Sequence, residues 1–338
     1  MAFLQSYLPT FGAAKGRAKP FSSTAERYNQ NTFGGRFRKM LDLTNPMHLL
    51  ATKRQVLEAR DRLKEYERSG CVVGVSDEEL WAARSLTASA IHPDTGDLIP
   101  RPLRMSGFLV FNAPICLAAV LATSYPSILL VHWLNQTHSA LINYANRNAS
   151  SPLSNLDLLK SYCTAVGCAV GIAFGLATTI KTRLPPAHAT AALRLVALPA
   201  SMVAAGANCY MMRRHELVTG IAVRDADGND RGTSRAAAAK AMREMVASRL
   251  VAVPPVFGAP AIVMAVPPVA ALVARRPGLG LPVSFSAVLL GFGVGLPGAI
   301  AMFPQTGAIC VRKMEPQFGA LQDSAQPPVT ELYYNKGL

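Results

Sequence analysis

The chain has 338 residues, of which 50% are hydrophobic and 16% charged, and its 34 Lys and Arg against 20 Asp and Glu leave a net charge of +14. With a positive mean hydropathy, this composition excludes one large soluble domain and indicates a polytopic membrane protein. The basic residues cluster near the ends of apolar segments, so the expected partner is a bilayer with anionic lipid such as cardiolipin, and no nucleic acid is expected.

Residues 1–30 read as a basic N-terminal extension. Lys15, Arg17, Lys19 and Arg27 face the single acid Glu26, with no continuous apolar core. That excludes a secretory signal and favours an organellar targeting segment, with a disordered basic arm as the alternative. Residues 31–104 read as a soluble helical vestibule. In 53–68, Val56, Leu57, Leu63 and Tyr66 are spaced for one packed side, and Ser76 with Glu79 offers a capping box for a second helix.

The vestibule ends in His92, Pro93, Asp94, Thr95 and Gly96, which have the chemistry of a tight turn. An Asp-Thr-Gly triplet also occurs in aspartic proteases, but their mechanism needs two carboxylates sharing a proton and no second copy exists here. There is no phosphate-binding loop for an ATP-driven pump.

Apolar runs at 105–123, 161–180, 195–212, 250–274 and 281–303 are each long enough to cross about 30 Å of hydrocarbon. They define a transmembrane bundle over 105–304, interrupted by a long basic loop at 213–249 and followed by a C-terminal tail, 305–338. Gly167, Gly171 and Gly175, and again Gly291 and Gly295, repeat every four residues and read as close-packing faces. Prolines crowd the fourth and fifth runs, which predicts kinked or broken helices there. In the third run Asn208 is an isolated amide, either a solute contact or interhelical glue. The six cysteines are scattered and imply no disulfide framework.

Residues 125–147 carry the most informative pattern. At 100° per residue His132, Asn135, Gln136, Ser139, Asn143, Asn146 and Arg147 fall within about 60° of one line, while Trp133, Leu134, Leu141 and Tyr144 lie elsewhere. Such groups serve as interhelical glue at about 0.6–2 kcal/mol each, but glue needs one or two of them. Seven on one line over roughly 22 Å favour the lining of a solute path. A helix lying flat on the surface would carry more Lys and Arg than Arg147 alone. The fold class expected is therefore all-α, a polytopic helical bundle of five transmembrane helices plus one polar-striped helix that spans or associates with the membrane, after an N-terminal soluble helical region. The distribution of Lys and Arg favours six crossings.

HPDTG at 92–96 followed by Arg104-Met105-Ser106, NQTHSALINYANR at 135–147, GANC at 206–209, RRHELVTGIAVRDADG at 213–228 and YYNKGL at 333–338 together resemble the sideroflexins. The resemblance runs from about Asn31 to the last residue. It implies a multi-pass protein of the mitochondrial inner membrane, usually with five transmembrane helices, in a family whose members carry serine for one-carbon metabolism, with alanine and cysteine as related cargoes. Other members are associated with iron homeostasis or respiratory-complex assembly. The family's usual Glu after HPDTG is Asp97 here, and Thr137, His138 and Ser139 replace residues of its NQSFN pattern, with Ser139 standing for an amide on the stripe itself.

A zwitterion needs donors for its carboxylate and acceptors for its ammonium, and amides offer both. Asn135, Gln136 and Asn143 are therefore expected to hold the polar end of a small neutral amino acid, with Ser139 and Asn208 near its side chain, Arg147 attracting the carboxylate at one mouth and Arg104 acting similarly near the first span. HPDTG is expected to brace the vestibule. An organic-acid carrier of the citrate type, which would need several basic side chains on the path, and a non-transporting scaffold for respiratory-complex assembly are the alternatives. His132 and His138, six apart on different faces, make no metal site, and with no cofactor motif or nucleophile–base pairing, no enzyme activity is expected.

Overall fold

The computed structural model describes residues 19–92, 95–146, 154–319 and 329–336. The chain divides into two units, one comprising Met1–Ile115 with His138–Pro152, the other Cys116–Thr137 with Leu153–Leu338.

In the first unit, side-chain caps fix where the helices begin. Thr32 accepts from the Gly35 amide and starts α1, Phe33–Leu43. A 3-10 turn, Pro46–Leu50, follows under an Asn45 cap. Reciprocal capping boxes, Thr52 with Gln55 and Ser76 with Glu79, start α2, Lys53–Ser69, and α3, Asp77–Ala90. Asp77, Glu78 and Glu79 place negative charge at the positive end of the α3 dipole. The two helices pack through Val56, Ala59, Ala83, Leu86 and Ala90.

A second cluster joins Leu80 and Trp81 to Phe21, whose ring centroid lies 4.8 Å from those of both Tyr66 and Trp81. The Trp81 indole N–H donates to the Lys19 carbonyl at 3.0 Å. The packed N-terminal helical region therefore includes residues from 19 onward rather than starting at 31, because one aromatic residue in an otherwise polar stretch found a pocket. Residues 1–18 lie outside the described residues.

Two helices continue from one unit into the other: α4, Phe108–Leu121, which has Pro114 inside it, and α5, Tyr125–Ala145. The second unit is built mainly from α6, Asn155–Arg183, α7, Pro186–Leu193, and α8, Ala197–Arg213. After a single turn of helix, α9, Glu216–Thr219, the strands β1, Ile221–Arg224, and β2, Asp230–Ser234, form a hairpin. Then come α10, Arg235–Ala265, α11, Pro267–Arg275, α12, Gly280–Ala301, and the strands β3, Thr306–Cys310, and β4, Glu331–Asn335. Helix α8 packs between α6 and α10, and α12 packs on the other side of α10.

The fold class is all-α, and a four-stranded antiparallel sheet of order β2-β1-β4-β3 is added to it. Its core of Val223, Ile309, Val311, Leu332 and Tyr334 rests on Ala237 and Ala241 of α10. The expected loop 213–249 is therefore not a loop. It holds α9, the hairpin and the first fifteen residues of α10, which are helical because of an alanine run, Ala236–Ala239, and a Ser234 cap on the Ala237 amide. The Glu315 carboxylate reinforces that cap, accepting from the amides of Arg235 at 2.5 Å and Ala236 at 2.9 Å and from the Ser234 hydroxyl at 2.8 Å.

Among the described residues, four segments are long and apolar enough to cross a membrane: Asn155–Arg183, His188–Arg213, Arg235–Ala265 and Pro277–Ala301. The fifth expected span is the shorter Met105–Leu121, about 25 Å at 1.5 Å per residue. The break expected from the prolines occurs once, at Val266, which is extended (φ −67°, ψ 119°) before Pro267-Pro268. Pro254, Pro255 and Pro260 stay inside α10 and Pro297 stays inside α12, so these helices are continuous.

The glycine faces divide. A Cβ on Gly291 would stand 2.1 Å from the Pro255 carbonyl oxygen and one on Gly295 would stand 2.5 Å from the Pro255 ring, so α12 lies directly against α10 there. Gly167, Gly171 and Gly175 have nothing within 4 Å of a built Cβ. The residues that α6 buries are Ser161 and the alanine row Ala165, Ala169, Ala173 and Ala177. Alanine already permits close approach and keeps the helix stiffer than glycine does, so it serves as the packing row.

Candidate functional site

The polar stripe lies on α5, and its members divide between the two units. In the second unit His132, Asn135 and Gln136 are buried while Trp133 and Leu134 are exposed, as the 100° pattern requires. His132 is 1% exposed and its Nδ1 has no hydrogen-bond partner among the described residues. Asn135 Oδ1 accepts from the Cys116 thiol of α4 at 3.8 Å.

Helix α5 is held along α6 by contacts that the stripe does not make. The Trp133 indole N–H donates to the Tyr162 hydroxyl at 3.0 Å, and Thr137 Oγ1 lies 2.9 Å from that hydroxyl. At the other end the Tyr125 ring meets Phe174 at 5.3 Å between centroids, and the Lys181 ammonium sits 3.9 Å from the Tyr125 ring centre. As α5 advances from 125 to 137 its partners recede from 181 to 162, so the helices are antiparallel. The α5 segment 125–137 that meets α6 in this way is roughly 18 Å long.

In the first unit Ser139 and Asn143 are half-buried. Asn146 is not open to a solute. Its amide donates at 2.8 Å to the carbonyls of both Leu103 and Ile142, closing the C-terminal end of α5 and tying it to the turn before α4. Arg147 lies outside the described residues. The His138 ring lies tilted, 6.0 Å from the Phe108 ring between centroids, and both its nitrogens are buried without a hydrogen-bond partner among the described residues.

Arg104 is buried, with Nε donating to the Ile99 carbonyl at 2.8 Å and Nη1 unsatisfied. Burial, and secondarily the charge of Arg101, lower its pKa from the usual guanidinium value. His48, buried beside it, has its pKa pushed down to about 4, first by burial and then by the Arg104 charge, and its Nδ1 lies 3.0 Å from the Ser89 hydroxyl.

Of the 92–96 motif, His92, Thr95 and Gly96 are described. Gly96 takes φ +73° and its amide donates to the His92 carbonyl at 3.0 Å, while His92 Nδ1 accepts from the Thr95 amide at 3.3 Å. An antiparallel Ile91–Leu98 bridge flanks these residues. Pro93 and Asp94 lie outside the described residues. Asn208 is half-buried on α8 and makes no hydrogen bond among the described residues.

Sequence reasoning passed over Asn112, one turn before Cys116 on α4, whose Oδ1 is buried and unpartnered. An amide inside an apolar run was the available signal. It also passed over Tyr162, whose importance depends on a neighbouring helix.

A sideroflexin family model matches residues 22–338. The chain belongs to the sideroflexins. It is 38% identical over 324 residues to Sideroflexin-5 of Homo sapiens, covering 95% of this chain and 94% of that protein. It is 34% identical to Sideroflexin of Dictyostelium discoideum, covering 94% and 98%, and 33% identical to Sideroflexin-3 of Bos taurus, covering 92% and 96%. No solved structure matches the chain. With four apolar helices long enough to cross a bilayer, this sideroflexin is a multi-pass membrane protein.

Proposed function

We propose that this sideroflexin carries small neutral amino acids, serine foremost with alanine and cysteine as related cargoes, across the mitochondrial inner membrane to feed one-carbon metabolism. The observation that carries the reading is the burial of His132, Asn135 and Gln136 on one face of α5 where it runs antiparallel to α6. A buried amide in hydrocarbon surroundings is costly unless it meets protein or water, and Gln136 has no hydrogen bond among the described residues. Alternate hydrogen bonding to solute and to water satisfies such groups during a transport cycle. Arg147 is the stripe's single Lys or Arg, whereas an organic-acid path calls for several basic side chains, which disfavours that reading. The break at Val266 supplies a joint between α10 and α11.

The test is uptake of radiolabelled serine into liposomes holding the purified protein, with alanine, cysteine and citrate as competitors. Saturable uptake that falls at least tenfold in Asn135→Ala/Asn143→Ala supports the path. Absence of flux for every solute, from protein shown to be folded and inserted, overturns it. The second reading, a scaffold for respiratory-complex assembly, draws on the open face of Gly167, Gly171 and Gly175. Under it, the same double substitution lowers protein abundance rather than flux.

We also propose where anionic lipid, cardiolipin among others, meets the protein. The connectors 181–197 and 266–280 share one end of the α6, α8, α10 and α12 bundle and carry Lys181, Arg183, Arg194, Arg275 and Arg276 with no Asp or Glu.

A further inference from the structure

The turn that leads into α4 holds buried hydrogen-bonding groups that no described residue satisfies. Arg104 is 6% exposed and Ser106, two residues on, is 0% exposed. Among the described residues, Arg104 Nη1 and Ser106 Oγ have no partner. The backbone is held tightly here. The Gly107 amide donates to the Arg104 carbonyl at 2.9 Å, and a Cβ on Gly107 would stand 2.5 Å from the Arg101 carbonyl oxygen. The His138 ring meets the Phe108 ring at a tilt and Asn146 donates to the Leu103 carbonyl, so the C-terminal part of α5 lies against the same turn. No described carboxylate makes an ion pair with Arg104, and the Arg101 cation acts on it unfavourably.

We infer that this turn is a binding site for a carboxylate monoanion, held by the free edge of the Arg104 guanidinium and the Ser106 hydroxyl, with the His138 imidazole beside them. Nε is already committed to Ile99, so the remaining edge faces an anion while the hydroxyl supplies a second donor, a set that suits one planar carboxylate. One unpaired guanidinium balances one negative charge, whereas a tricarboxylate would arrive with more charge than this turn neutralises. The site deepens the carrier reading and rests on it only for the natural anion, the α-carboxylate of the solute; the site itself would take any small monocarboxylate.

The experiment follows thermal unfolding of the full-length protein in detergent micelles at constant ionic strength. Sodium L-lactate keeps the carboxylate and hydroxyl of serine without its ammonium, and ethanolamine keeps the ammonium and hydroxyl without the carboxylate. Lactate and L-serine are expected to raise the midpoint in a saturable way, and ethanolamine and chloride to leave it unmoved. Arg104→Gln and Ser106→Ala are each expected to weaken the lactate response at least tenfold, and the unliganded Arg104→Gln protein is expected to melt no lower than wild type, because an unmatched buried charge is gone. Ser106→Ala removes one oxygen and decides the matter if Arg104→Gln does not fold. A lactate response that is absent, that ethanolamine or chloride reproduces, or that Ser106→Ala leaves unchanged overturns the site. Serine uptake by the same preparations separates the two ideas: a lactate response without uptake retires the carrier and keeps the site, and uptake with an unchanged lactate response in the variants retires the site and keeps the carrier.

Discussion

His48 meets Ser89 of α3 and feels the charge of Arg104, and its protonation has a consequence for stability. An unfolded histidine titrates near 6.5, whereas burial and the Arg104 cation hold the folded group near 4. Between these values the unfolded chain binds more protons than the folded one, so the neutral-imidazole contribution is fully present above pH 6.5 and is lost as pH falls toward 4. A shift of this size corresponds to about 3 kcal/mol. Melting curves between pH 4 and 7 should therefore show a stability slope that His48→Gln flattens; an equal slope in both proteins would reject the assignment. Tyr162 gives a second residue-scale prediction. Its hydroxyl meets both Trp133 and Thr137, so Tyr162→Phe should cost about 1–2 kcal/mol in the folded protein while leaving Phe174 and Tyr125 in place. The identity of Tyr162 was plain in the sequence, but its role was not, because its two partners come from a different helix.

Among the elements, the two glycine repeats look alike on paper and behave differently in the fold. Gly291→Leu forces a side chain into the Pro255 backbone and should cost about 1–3 kcal/mol or prevent folding, whereas Gly171→Leu meets open space and should be tolerated in detergent. Comparable losses in the two variants, read by thermal unfolding, would show that α6 packs through its glycines after all. Spacing alone could not separate these rows, since both satisfy the same four-residue rule and only the neighbouring helix distinguishes them. The N-terminus of α10 offers another check. Burial alone would raise the Glu315 pKa, but hydrogen bonds from its own amide, Ser234, Ala236 and Arg235 bring it below the usual carboxylate value. Glu315→Gln should loosen the cap by about 1 kcal/mol, read as faster amide exchange at Arg235 and Ala236.

For the molecule as a whole, the cationic end of the helix bundle predicts how the protein sits in its bilayer. Replacing Arg275 and Arg276 by Gln should weaken co-sedimentation with cardiolipin-containing vesicles by roughly tenfold at low salt, with little change for neutral lipid. Equal binding by wild type and variant would move the lipid contact elsewhere. The helices, their apolar lengths and the facing of the α5 stripe were legible in the sequence because periodicity and capping are local properties, written within one or two turns of chain. The small sheet was not, since β4 pairs with β1 across more than a hundred residues and no local pattern records that partner. Nor could the sequence say which polar groups are already answered by the fold: Asn146 is occupied by the Leu103 carbonyl, Asn135 by the Cys116 thiol, and Arg104 keeps an unsatisfied edge. Local chain chemistry thus determined the family, the helical segments and the direction of the polar face, while the tertiary structure alone decided which of those polar groups remain unpaired. That depends on what each neighbouring element presents.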